Sequence, residues 1–150
     1  MTHTPAEKTD DAAILYRETI LRHSRHPVGF NKPISATHEY EHFNSLCGDR
    51  VRLMLEMKNH AVVDAAFEGE SCAICKASAS MLCELAPGQT GKALLERHQW
   101  LASALAGEGQ PVDDQPLNAL LGVRAYPSRV QCALLPWQAL KDSLSTNPKD

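Results

Sequence analysis

Three cysteines and one aspartate have the residue types that a soft-metal or sulfur site needs. Cys47 and Asp49 flank Gly48, Cys72 follows Gly69-Glu70-Ser71, and Cys132 lies far downstream. Each falls at an expected element boundary, where a scaffold can aim side chains into a shared site. A helix N-terminus, expected at Cys72 and Cys132, favours a thiolate through its dipole and free N–H groups. Three thiolates and a carboxylate can complete a tetrahedral Zn²⁺ site. On spacing alone, isolated and partly buried reduced cysteines fit equally well. Gly48 permits a tight turn that would aim Cys47 and Asp49 at one point, or it is an ordinary turn glycine.

Other residues offer competing chemistry. Cys72-Ala73-Ile74-Cys75 is a C-x-x-C, a pattern of redox pairs and zinc knuckles. A hairpin rather than a βαβ unit precedes it, which argues against a thioredoxin-like site, and no second C-x-x-C completes a Cys₄ ribbon. His38-Glu39-Tyr40-Glu41-His42 spells H-E-x-x-H, which binds zinc only on a helix. The further ligand and glycine of the longer motif are not matched at Gly48 and Ser45, so a polar strand or loop is the simpler reading. Arg129 precedes Cys132 by one helical turn. It can hold a nearby thiolate or Asp49 charged, or it is a solvated surface arginine. Cys83, among Met81, Leu82 and Leu85, reads as a core thiol.

The elements that would position these groups are legible from patterning. Residues 10–23 read as a helix capped by Thr9 or Asp10, with Ala13, Tyr16 and Ile20 as its stripe and Pro27 and Gly29 ending it. Residues 50–58 and 61–68 alternate as strands, with Val51, Leu53, Leu55, Met57 on one and Ala61, Val63, Ala65, Phe67 on the other. Asn59-His60 turns them into a hairpin. A third strand is expected around residues 35–42, because a hairpin alone is marginal. Ser71 can cap a helix over 72–85, and Thr90 one running to Leu105 with Leu94, Leu101 and Leu105 on a face. The small residues Ala77-Ser78-Ala79-Ser80 suit close packing. A polar loop covers 110–116, and a last helix covers about 128–144, kinked or delayed by Pro136.

Composition bounds the function classes. The chain has 150 residues, 43% hydrophobic and 22% charged, with a net charge of −3. One domain of this length can bury about 70% of its unfolded surface. The charge gives no reason to expect nucleic acid or an anionic membrane as partner. No apolar run approaches the roughly 20 residues of a spanning helix. Residues 1–11 are polar and lack a secretory signal's apolar stretch, so a reducing cytoplasm is expected, where the five cysteines are ligands or reactive thiols rather than disulfides. The expected organisation is a single domain over 11–144 with flexible tails at 1–10 and 145–150.

Four segments in order resemble the IscU/SufU (NifU N-terminal) family of iron–sulfur cluster assembly proteins. Leu15-Tyr16-Arg17 with Ile20, His23 and Pro27 is similar to its opening helix, and Asn44-Ser45-Leu46-Cys47-Gly48-Asp49 to its N-P-x-C-G-D. The run from Gly69-Glu70-Ser71-Cys72 to Ala77-Ser78-Ala79-Ser80-Met81 resembles G-x-G-C-x-I-S-x-A-S-A-S-M. Arg129-Val130-Gln131-Cys132-Ala133-Leu134-Leu135-Pro136-Trp137 resembles R-I-K-C-A-x-L-x-W. Gln131 in place of an IscU histidine, Ala125-Tyr126-Pro127-Ser128 in place of Pro-Pro-Val-Lys, and the long stretch 85–123 favour the SufU branch. Ser45 and Ser71 replace the family's Pro and Gly, Cys75 replaces Ser, and Pro136 replaces a polar residue.

The resemblance implies an α+β fold, a small three-stranded antiparallel sheet with helices packed on it. It implies Zn²⁺ held by Cys47, Asp49, Cys72 and Cys132, with Cys47 accepting persulfide sulfur from a SufS-type cysteine desulfurase and Arg129 in electrostatic support. Downstream iron–sulfur scaffolds would be further partners. The IscU version puts a transient Fe–S cluster on the same residues. A non-catalytic zinc docking module is the alternative from another class, and the zinc protease comes after it.

Overall fold

The structure, a computed structural model, describes residues 4–46, 48–108 and 116–146. Its elements are α1 (Thr4–Arg25), β1 (His38–Asn44), β2 (Asp49–Lys58), β3 (Ala61–Glu70), α2 (Ala73–Leu85), α3 (Gly91–Leu105), a 3₁₀ segment (Pro116–Ala125) and α4 (Pro127–Thr146). The strands form one antiparallel sheet in the order β1-β2-β3. This is the α+β architecture expected, with α2 and α4 packed together and α4 lying on β1 and β2.

The sheet forms because β2 alternates strictly. Val51, Leu53, Leu55 and Met57 turn inward and are buried, while the residues between them face outward. Asn59 and His60 both adopt positive φ, 53° and 66°, which closes the two-residue hairpin whose twist suits antiparallel strands. β3 departs from its expected alternation. The register shifts at Glu56/Met57, where Glu56 pairs with Asp64 but Met57 with Val62, leaving Val63 unpaired. This bulge inverts the facing of the strand start. Val62 is therefore buried and Val63 exposed, the reverse of the simple pattern. β1 starts at His38 rather than at Ser35.

α1 begins at Thr4, ahead of the expected start near Asp10, so residues 4–10, read as a tail, are helical. The remaining tail residues, 1–3 and 147–150, lie outside the described residues, as does most of the polar loop. Thr19, Ile20 and His23 form the buried stripe of α1, whereas Ile14, Leu15 and Leu21 are exposed. Thr90 caps α3 as expected, its hydroxyl accepting the Ala93 N–H at 3.0 Å. The 3₁₀ segment was not legible beforehand. It buries Leu117, Leu120 and Val123 and is tied to α3 by Arg124 donating to the Ala104 carbonyl at 3.2 Å.

Helix α2 is buried nearly all round, from Cys75 to Cys83. Its small residues let neighbours approach on several sides, and its hydroxyls find partners there. Ser78 Oγ donates to the Ala133 carbonyl at 2.6 Å and accepts the Trp137 indole N–H at 3.2 Å, which ties α2 to α4. Ser80 Oγ accepts the Val28 N–H at 2.8 Å and lies 2.7 Å from His23 Nδ1, which ties α2 to α1. Helix α4 runs continuously through Pro136. Proline has no N–H to offer the carbonyl four residues earlier, and that carbonyl belongs to Cys132.

Two predictions follow from this packing. His23 is buried with its other ring nitrogen 3.7 Å from Glu84. Burial lowers its pKa, with Arg22 acting in the same direction and Glu84 against. Burial and Lys141 also lower that of His98. The unfolded chain therefore binds protons that the folded chain refuses, and stability falls as pH drops below the ordinary histidine value of about 6.5. Urea unfolding of metal-free protein between about pH 7.5 and about pH 5.5 should show this slope, flattened in His23→Gln. Gly69 sits at φ 133°, and a Cβ there would lie 2.1 Å from the Arg50 carbonyl oxygen. Gly69→Ala should cost more than about 2 kcal/mol in the same assay.

Candidate metal centre

Asp49, Cys72 and Cys132 converge from three elements. Asp49 opens β2, Cys72 is the residue before α2, and Cys132 lies in the second turn of α4. One carboxylate oxygen and the two sulfurs all lie within 4.8 Å of one another. Asp49 and Cys132 are buried, 2% and 0% exposed, and Cys72 is half-buried. None of Cys72, Cys75, Cys83 and Cys132 is in a disulfide.

Local structure fixes these groups. The Cys72 backbone N–H donates to Asp49 Oδ1 at 2.8 Å, clamping the start of β2 to the β3–α2 junction. Cys72, not Ser71, is the helix cap. Its φ and ψ are −70° and 169°, and its sulfur accepts the Cys75 N–H at 3.5 Å. The Arg129 side chain, exposed on the first turn of α4, lines a cleft together with Cys72. Its pKa is raised, first by the charge of Cys72 and then by that of Cys132. Arg129 is thus the site's electrostatic neighbour rather than a remote surface arginine.

A carboxylate and two thiolates this close and this buried repel one another and lose solvation. One exposed guanidinium offsets that incompletely. A dication among them resolves it, and the donor set suits zinc. Zn–S of about 2.3 Å and Zn–O of about 2.0 Å place tetrahedral donors less than about 4 Å apart, a small contraction of the observed cluster. The residues present therefore fit the metal. Cys47, the fourth expected ligand and expected sulfur acceptor, lies outside the described residues. Its neighbour Gly48 turns at φ 74°, donating its N–H to the Asn44 carbonyl at 2.8 Å.

The competing motif is dispersed. His38 to His42 form most of strand β1 rather than a helix. His38 and His42 face inward about 13 Å apart along the strand. His38 Nδ1 lies 2.8 Å from the Thr37 hydroxyl and His42 Nε2 lies 2.8 Å from Asp142. Glu39 faces the other way and accepts from Arg52 at 2.9 Å. This arrangement cannot chelate an ion, and the zinc-protease reading is withdrawn. Cys75 is fully buried. Cys83 is a core thiol as expected, pushed well above its ordinary pKa by burial.

Beside Cys72 an open cleft of about 480 Å³ is lined by Tyr16, Cys72, Ala73, Ile74, Tyr126 and Arg129. The two tyrosine rings stack with centroids 6.4 Å apart. Their meeting, from α1 and from the residue before α4, has no signature in local spacing.

The chain is similar to known proteins over nearly its whole length. It is 34% identical over 134 residues to the zinc-dependent sulfurtransferase SufU of Bacillus subtilis, covering 87% of this chain and 90% of that protein. To the iron–sulfur cluster assembly scaffold protein IscU of Thermotoga maritima it is 31% identical over 137 residues, covering 87% and 93%. A crystal structure of a putative iron–sulfur cluster assembly scaffold for the SUF system from Fervidobacterium islandicum superposes with a TM-score of 0.76. It is 32% identical, covering 87% of this chain and 97% of that one. A nitrogen-fixing NifU-like protein from Brucella abortus, 24% identical with a TM-score of 0.79, shares the fold. Residues 15–145 match the NifU-like N terminal domain, and the chain belongs to that family of iron–sulfur cluster assembly proteins.

Proposed function

We propose that this chain is a zinc-dependent sulfur acceptor, taking persulfide sulfur from a SufS-type cysteine desulfurase for iron–sulfur cluster assembly in the cytoplasm. The observation that carries the reading is the buried convergence of Asp49, Cys72 and Cys132. The ligand set is completed by Cys47. The similarity to SufU favours sulfur relay over the alternative in which the same residues hold a nascent Fe–S cluster as cargo. Gln131 before the last cysteine, and the absence of a Pro-Pro-Val-Lys stretch ahead of it, favour it too.

Zinc, when bound, supplies a positive charge that holds its sulfur ligands as thiolates at neutral pH. The chain's own residues do the rest. Cys72 caps the α2 N-terminus through its sulfur, and Arg129 lines the cleft beside it. The Cys72 N–H fixes the orientation of Asp49, which would offer zinc a hard oxygen among soft sulfurs. Cys132 is anchored in a helix that Ser78 and Trp137 lock to α2. Cys47 is the ligand that acts on sulfur. Its thiolate attacks the outer sulfur of the desulfurase persulfide, so that Cys47 carries the new S–S bond and the desulfurase leaves with its own thiolate. Downstream scaffolds receive that sulfur.

Metal analysis of protein purified without oxygen should find about one zinc per chain. Cys72→Ser and Cys132→Ser should abolish it and His38→Ala should not; the reverse pattern would return the site to the H-E-x-x-H histidines. After one turnover of a matched desulfurase with cysteine, mass spectrometry should find a gain of about 32 Da, one sulfur, on the Cys47 peptide. Cys47→Ser should fold but fail to stimulate the desulfurase. Sulfur mainly on Cys132 or Cys75, with Cys47→Ser still active, would overturn the acceptor assignment.

A further inference from the structure

We propose that Cys72 and Cys75 form a reversible disulfide when the protein meets a hydroperoxide, a modification that rescues Cys72 from irreversible oxidation. In unloading the metal it rests on the proposed zinc site; the disulfide itself does not.

The two residues occupy the cap and third positions of α2. In a capping box these are the positions whose side chains reach toward each other, the cap side chain to the third residue's N–H and the third side chain back. Half of that arrangement is present, since Cys72 Sγ accepts the Cys75 N–H at 3.5 Å. The sulfur of Cys72 therefore already lies over the residue that carries the second thiol. C-x-x-C at a helix start is also the spacing of dithiol redox pairs. The hairpin entering this one excludes a thioredoxin-like fold but leaves the local pair intact.

Exposure sets the order of events. Cys72 is half-buried and lines the open cleft, whereas Cys75 and Cys132 are fully buried. Peroxide thus meets Cys72 first. The thiolate attacks one peroxide oxygen, the O–O bond breaks, and Cys72 becomes a sulfenic acid while hydroxide leaves. The Cys75 thiol then attacks that sulfur, forming the S–S bond and releasing water. The peroxide is reduced by two electrons and the dithiol is oxidised by two. A dithiol reductant returns both thiols by exchange. The family pattern that this segment resembles has Ser at position 75, which cannot resolve a sulfenic acid.

The test treats zinc-loaded, full-length protein with hydrogen peroxide, blocks remaining thiols with iodoacetamide and analyses the tryptic peptide spanning residues 59–76, which contains both cysteines. Wild type should show a loss of about 2 Da in that peptide, two hydrogens, with zinc appearing in solution by a colorimetric indicator. Dithiothreitol should reverse both. Cys75→Ser should bind zinc normally before treatment. Afterwards it should show no disulfide in that peptide, sulfinic acid at Cys72, and no recovery of zinc binding with dithiothreitol. A wild-type disulfide joining Cys72 to Cys47 or Cys132, or full recovery by Cys75→Ser, would overturn the proposal. If the protein carried no zinc, the same peptide masses on metal-free protein would still decide it, so failure of the zinc site and failure of the disulfide are distinguishable.

Discussion

The bond from the Cys72 N–H to the Asp49 carboxylate is the constraint on which the site depends. It joins the first residue of β2 to the residue that caps α2, across the whole of the hairpin. A hydrogen bond to a charged acceptor of this kind contributes about 1.5–3 kcal/mol. Its structural effect is larger. It orients the carboxylate toward the sulfurs and sets where α2 begins relative to the sheet. Gly69 makes the approach possible, because the β3 backbone there passes too close to Arg50 for any side chain.

The third group arrives on a different element, and packing brings it. Helix α2 approaches α4 closely because Ala77, Ser78 and Ala79 are small, and Ser78 bonds to both a carbonyl and the indole of α4. Cys132 is carried in beside Cys72 by that contact. The result is a carboxylate and two sulfurs gathered in a nearly dry corner, with the Arg129 guanidinium beside them. Such an arrangement is unfavourable as it stands and favourable around a dication. In the proposed centre the same residues would raise the demand for metal and fix its coordination. With a mixed oxygen and sulfur donor set, they would also leave it exchangeable.

Much of this was legible in the sequence because each signal was local. Strict alternation in β2, Asn59-His60 between the strands and Thr90 before its helix each follow from one stretch of chain. The boundary positions of Asp49 and Cys72 were legible too, whereas Cys132 lies inside α4; the convergence of the three was expected only through the family resemblance. What escaped was non-local or degenerate. The bulge that buries Val62 in place of Val63 leaves the apolar pattern of β3 unchanged, so only pairing with β2 reveals it. Ser71 looked like the better cap, yet the Asp49 clamp on Cys72 sets the helix start one residue later. The H-E-x-x-H spelling carried no information about its backbone, and strand pairing with β2 decided against a helix. The 3₁₀ segment follows no 3.6-residue period, and its burial depends on α1, α3 and α4 together.

The proposed ligand set surrounds the metal with one carboxylate oxygen and three sulfurs. X-ray absorption at the zinc edge of the protein as purified without oxygen tests it most directly. The spectrum should show three sulfur scatterers at about 2.3 Å and one oxygen at about 2.0 Å, with no imidazole multiple-scattering pattern. Two imidazole nitrogens in the shell would contradict it in favour of histidine ligation, and four sulfurs without oxygen would remove Asp49 from the site.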